Sequence, residues 1–415
     1  MRGPGRNRGP LRPAPGRHVA CLATALAIAA ATFAGCAGAG ATPLPSATVT
    51  TAILSPSPLS TAQATATIPA GPTPSPAGAG LFTPAGSMDA VRANATLLGD
   101  GRVLAVGGHD DSGDAVASAQ LFNPGSGAYT AATAAMADAR FDPAVAELED
   151  GRVLVAGGEG STRAPLASAE LFDPKAGTFS ATGALNTARS GAAAFRLPDG
   201  RVLVIGGRDA AGEALASAEI FDPKSARFSS TGSMTAARDG FGAALLQDGR
   251  VLVAGGCCNV ANPYLTAELY DAGTGVFTAT GSMGVGRMFP ALAVLADGRV
   301  LVAGGNSSAV YEKPLASAET YDPKTGAFTA TGSMSEPRDG LDAIRLAAGK
   351  VLIVGGGLDA VAELFDPATG LFIPTGKMAA YRAAQITVTL LQDGRVYVAG
   401  GGSGADALSA EIYQP

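Results

Sequence analysis

The chain repeats short apolar runs that end on paired glycines. Val202–Ile205, Val251–Ala254 and Val300–Ala303 are each four consecutive apolar residues that stop at Gly-Gly. An apolar run of this length, without alternation, predicts a strand buried on both faces. The pairs fall at 107–108, 157–158, 206–207, 255–256, 304–305, 355–356 and 400–401, so the pattern returns every 49 to 51 residues apart from a last interval of 45. Seven arginines keep step with it: Arg92, Arg140, Arg189, Arg238, Arg287, Arg338 and Arg382. Self-similarity at this period is the mark of a repeat architecture.

Each copy predicts four antiparallel strands. The first follows the arginine, as in Ser190–Leu197, and a two-residue turn at Asp199-Gly200 leads into the second, Val202–Ile205. Ala218–Phe221 forms the third and ends at Asp222-Pro223, where proline fixes φ and the aspartate caps nearby amides. The fourth starts at Arg227-Phe228-Ser229-Ser230 and leads towards Met234. Four short strands per copy and no helical period describe one blade of a β-propeller. The fold class expected is all-β: a seven-bladed propeller of four-stranded antiparallel blades. The sequence stops at Glu411-Ile412-Tyr413-Gln414-Pro415, where a fourth strand is due, while Gly80-Leu81-Phe82 and Gly86-Ser87-Met88 match the end of a fourth strand. An N-terminal strand is therefore expected to complete the last blade and remove the open edge.

The opening arginine, the turn glycine, the double glycine and the aromatic before Asp-Pro together resemble a kelch repeat, over about residues 81–415. The family's tryptophan in the fourth strand is replaced by Phe82, Tyr129, Phe179, Phe228, Phe277, Phe328 and Phe372, and its tyrosine before the double glycine is kept only as Tyr397. The resemblance implies that the first strands lie innermost, with the arginines around the channel mouth, where some members use arginines to bind acidic peptides. It also implies kinship in fold with the galactose oxidase propeller.

Composition agrees with short buried strands: 47% of residues are hydrophobic, 15% are charged, 57 are glycine and none is tryptophan. The first segment is different. Arg2, Arg6, Arg8, Arg12 and Arg17 precede an apolar run from Val19 to Ala34, too short to span a bilayer comfortably. The run ends in Phe33-Ala34-Gly35-Cys36, which resembles the lipobox of bacterial lipoproteins. That resemblance implies acylation of Cys36 and export to an extracytoplasmic, lipid-anchored position. Residues 1–35 are thus expected to be a signal peptide. Residues 36–79, uncharged and rich in Ala, Thr, Pro and Ser, are expected to be an extended linker, and 80–415 the propeller. Loss of the five arginines, with no acid lost, moves the formal charge from -6 to -11. So acidic a chain is a poor binder of nucleic acid.

Candidate chemistry sits on the face that carries the arginines and the loops after each Gly pair. Glu170, Glu219, Glu268, Glu319, Glu363 and Glu411, with Gln120 in the first copy, recur before the third strand's aromatic and offer each arginine an architectural partner. A residue kept in every blade usually serves packing, so asymmetry guides the search for a site. From the second glycine of the pair to the Glu or Gln the spacing is 12 residues in blades one to four, then 14, 7 and 10. The long blade-five loop beside the short blade-six loop predicts an uneven groove. Candidate ligand-binding residues are Tyr264, Tyr311 and Lys313 with Arg287, Arg338 and Arg382. Cys257 and Cys258 either form a vicinal disulfide or remain neighbouring thiols; two thiols are too few for a structural zinc site. Asp110, Asp111 and Asp114 lack the following glutamate of a calcium loop.

Two function classes follow. The first is a binding or scaffolding module for a protein or carbohydrate ligand, acting as a monomer, anchored only by its lipid, with no catalytic residue, metal or cofactor. The alternative is an extracytoplasmic carbohydrate-active hydrolase or lyase built on carboxylates brought together from different loops. A copper radical oxidase is disfavoured. After signal removal His109 is the one histidine left, so the histidine ligands and cysteine-linked tyrosine of that family have no counterparts here.

Overall fold

A computed structural model describes residues 80–415 except 91–92, 111, 258–261, 309–312, 384–385 and 403. Among them, seven four-stranded antiparallel sheets form seven blades in a ring. The signal peptide, Cys36 and the linker lie outside the described residues.

Blade three shows how local sequence makes a blade. Its strands are Ala193–Arg196, Val202–Ile205, Ala218–Asp222 and Arg227–Ser230, hydrogen-bonded in that order. The second strand is wholly buried in this blade and in every other. Side chains alternate across a strand, so one apolar run supplies two cores. Val153 and Val155 of blade two pack with Leu104 and Val106 of blade one, while Leu154 and Ala156 pack with Val202 and Val204 of blade three. The unbroken apolar run is thereby explained: each sheet is sandwiched between its neighbours. From blade four through seven to one, two and three, the first strands pack each on the next and surround the axis.

The N-terminal strand, Leu81–Ser87, pairs antiparallel with Ser409–Gln414 and completes blade seven. It contributes to both interfaces of that blade. Phe82 enters the core between blades six and seven, and Ala85 enters the one between seven and one.

The Asp-Gly turns depart from expectation. Leu197 and Arg201 are bonded across the turn, with the Leu197 N–H donating to Arg201 O at 2.8 Å. Three residues, Pro198-Asp199-Gly200, thus make the loop, and only Gly200 has a positive φ, 85°. A two-residue type I′ turn needs positive φ at both central residues, whereas a three-residue loop needs it only at the last. Asp199 is free to do something else. Its carboxylate accepts from the Arg201 N–H at 3.0 Å and Nε at 2.8 Å. Arg201 then reaches the Ala272 carbonyl of blade four at 3.0 Å. The arginine after Asp-Gly is a clasp between blades, repeated by Arg102 on Pro174, Arg250 on Pro323 and Arg395 on Pro124. The last of these joins blade seven to blade one.

Candidate functional site

The repeated arginines among the described residues are wholly internal. Arg140, Arg189, Arg238, Arg287 and Arg338 are 0% exposed and Arg382 is 1% exposed. In blade three the Arg189 Nη1 donates to the carbonyls of Gly206 and Ser217, both at 3.0 Å, while Nη2 donates to Ser217 Oγ at 3.1 Å and Glu219 Oε1 at 3.0 Å. Glu219 also accepts from the backbone N–H groups of Asn186 and Thr187 at 2.7 and 3.0 Å. Burial, partly offset by Glu219, draws the Arg189 guanidinium below its ordinary value. The Gly pair allows this arrangement. Gly206 and Gly207 have φ of 61° and 86°, and a side chain on Gly207 would strike the Ser190 carbonyl. Arg287, Arg338 and Arg382, candidates for ligand binding, are instead internal ties, because they are buried and their Nη groups are bonded to carbonyls and glutamates of their own blades.

Blade six solves the same problem differently. Its short loop puts Val361 where Ser217 stands in blade three, so the hydroxyl acceptor is missing. Arg338 turns: its Nε and Nη2 both donate to Glu363 Oε1, at 3.2 and 3.0 Å, and Nη2 also bonds the Val361 carbonyl at 2.8 Å. Glu336 adds a second carboxylate at 3.3 Å. In blades two to five and seven the corresponding Nε has no hydrogen-bond partner among the described residues.

Tyr264 and Lys313 have distinct surroundings. Tyr264 is half-buried, its ring 5.1 Å from Arg238 Cζ, so it covers a structural guanidinium by a cation–π contact. Lys313 is exposed, and its backbone N–H donates to Asn306 Oδ1 at 3.2 Å. Asn306, fully buried, also bonds Asp339 of blade six at 3.0 Å through Nδ2. This pair anchors the blade-five loop, and repeat comparison gave no hint of it because it occurs once. Tyr311 and Cys258 lie outside the described residues, and with them the full groove and the vicinal pairing; Cys257 is buried at the end of its strand.

The residue after each Gly pair forms a belt around the mouth. Arg208 of blade three binds Asp239 of blade four at 2.6 Å, Asn306 binds Asp339, and His109 packs on Phe141 with ring centroids 5.4 Å apart. Blades six and seven have Gly357 and Gly402 there, packed against Glu336 and the Asp406 carbonyl, where a side chain would clash. Beneath lies an axial cavity of about 370 Å³, lined among others by Asn94, Phe141, Asp142, Asp342, Thr387 and Val388. Asp342 is enclosed by protein but faces this cavity. Burial pushes its carboxyl up to about 7, opposed only by the Ala343 N–H. Two carboxyl groups from different blades, Asp142 and Asp342, thus share one cavity, an encounter that no sequence signature announced.

The Kelch motif matches residues 192–235, the span of blade three. None of the curated proteins matches the sequence. A solved structure described as a novel fungal alcohol oxidase with catalytic diversity among the AA5 family, in complex with copper, is similar over 81% of this chain and 77% of its own, with a TM-score of 0.65 and 20% identity. That likeness is one of fold. Copper favours imidazole and thiolate donors. Here His109 is the sole histidine among the described residues, with its Nδ1 2.9 Å from the Asp110 carbonyl, and they contain no group of three His, Cys, Asp or Glu suited to a metal. The donor set does not fit copper, and no copper chemistry carries over.

Proposed function

We propose that this Kelch-type propeller is an exported, lipid-anchored binding or scaffolding module that holds a protein or carbohydrate ligand on the face carrying the post-Gly loops. One observation carries the reading: the repeat is spent on architecture, and its departures gather on that face. The described arginines and their glutamate partners are internal, whereas the 14-residue and 7-residue spacings of blades five and six change only post-Gly loops. The opposite face is uniform, built from three-residue hairpins and Asp-capped turns such as Asp222 accepting from the Lys224 N–H at 2.9 Å. A glycan and envelope-protein binding screen with residues 80–415 tests the proposal. Retention of a saturable ligand without turnover supports it, and conversion of the ligand points to an enzyme instead.

Once a ligand is in hand, Lys313→Ala is expected to weaken binding while shifting unfolding by less than about 0.5 kcal/mol, as substitutions of exposed residues usually do. Lys224→Ala, on the opposite face, is expected to leave affinity unchanged. Reversal of these two results would move the site to the other face. Membrane attachment is expected to require Cys36, because no described helix is long and apolar enough to span a bilayer and a diacyl thioether with an N-acyl chain is a firm anchor. Fractionation of Cys36→Ala is the check, with release from membranes expected. Equal membrane retention of variant and parent would remove the lipid from the proposal.

A further inference from the structure

The axial cavity is chemically one-sided. Of the seven first-strand residues paired with the residue just before each Gly pair, Ala144, Ala193, Gly242 and Ala291 are alanine or glycine, whereas Asp342, Thr387 and Asn94 are polar and fall on the consecutive blades six, seven and one. All three line the cavity, and its lining contains no Lys, Arg or His. Each brings an acceptor that the described protein leaves unused. Asn94 donates through Nδ2 to the Pro143 carbonyl at 2.7 Å, which leaves its Oδ1. Asp342 accepts at Oδ1 from the Ala343 N–H at 2.7 Å, which leaves its second oxygen. Thr387 makes no side-chain hydrogen bond to a described residue. These acceptors are partly buried, and a ligand that supplies donors can bond them without displacing any protein partner.

We propose that this cavity binds a small molecule through a primary ammonium group, held by the Asp342 carboxylate, the Thr387 hydroxyl and the Asn94 amide oxygen. An ammonium carries three N–H donors and no acceptor, which matches three acceptors from three adjacent blades. Asp142 is a second acid in the lining, and Phe141 offers an apolar ring. The volume, about 370 Å³, falls within the range of roughly 300–1,000 Å³ usual for small-ligand sites. This site is separate from the loop surface proposed above and does not depend on it.

Binding is tied to protonation. The first strands on either side of Asp342, Ala291–Val294 and Ile386–Leu390, and its partner strand Val351–Val354 contain no titratable residue. On its own strand Arg345 is exposed at the far end, and Asp142 is the other acid in the lining. A carboxyl raised to about 7 must lose its proton to hold an ammonium, so affinity rises between about pH 6 and 8. Calorimetric titration of the full chain with ethanolamine, putrescine and glucosamine, with glucose as the uncharged control, tests the site. At least one amine is expected to saturate and to outbind glucose by about tenfold or more, the scale of a charged hydrogen bond. Asp342→Asn is expected to lose that margin and the pH dependence while melting cooperatively, and Thr387→Val to lose severalfold. Failure of all three amines to bind the native chain, parity of glucose with the best amine, or full amine affinity in Asp342→Asn overturns the proposal. Should Asp342→Asn not fold, Thr387→Val decides, and unchanged affinity in it is fatal to the site.

Discussion

Glu219→Ala is expected to destabilise the propeller by about 3–5 kcal/mol, the cost of stranding a buried charge by removing its partner. The Arg189 guanidinium would keep the Gly206 and Ser217 carbonyls but lose its counter-charge, and the amides of Asn186 and Thr187 would lose their acceptor. The double variant Arg189→Met, Glu219→Leu is expected to recover only part of this loss. It removes both charges but leaves those carbonyls and amides without side-chain partners. Urea unfolding measures all three chains. A loss below about 1 kcal/mol in Glu219→Ala would show that neutral acceptors alone satisfy the arginine, within the usual range of a single hydrogen bond.

The second large effect concerns closure. Deleting Leu81–Ser87 is expected to lower the melting temperature far more than deleting Thr42–Pro76. The first deletion takes away every pairing to Ser409–Gln414 and removes Phe82 from its core, where loss of a buried phenylalanine alone costs about 3–5 kcal/mol. It also exposes a sheet edge, so aggregation is expected to accompany the loss. Similar melting temperatures for the two deletions would mean that the ring is held shut by the Arg395 clasp and the inner strands without this strand.

How far the fold could be read in advance depended on repetition. Val202–Ile205 was legible to the residue because an unbroken apolar run has one good explanation, burial on both faces, and seven copies removed the ambiguity with helix. The Asp-Gly turns were misread in length because the same dipeptide ends a three-residue loop as readily as it makes a two-residue one; only the Leu197–Arg201 pairing separates them. The following arginine passed unnoticed because its acceptor is a carbonyl in the next blade, and carbonyls leave no trace in sequence. For the candidate site the same logic worked in reverse. Residues common to every copy declared themselves and proved architectural, as the Arg189–Glu219 tie shows. Those that distinguish one blade, such as Asp342, Thr387 and Asn306, are single letters whose meaning comes from which blades flank them. Tyr264 was legible as a loop aromatic, but not as the cover over Arg238.

The seventh blade also sets a clock. Thr83 and Ile412, which bond across its outermost pair, are 329 residues apart. At ribosomal speeds of roughly 5–20 residues per second, the earlier strand waits on the order of tens of seconds before its partner exists. During that wait the inner blades can stack on their neighbours in the order they emerge, but the ring has no seventh sheet. A chain stalled or cleaved before residue 409 leaves Leu81–Ser87 unpaired, a ready mark for proteolytic removal. The seventh sheet therefore cannot form until Ser409–Gln414 has been made, and a fragment that ends before it is expected to be short-lived.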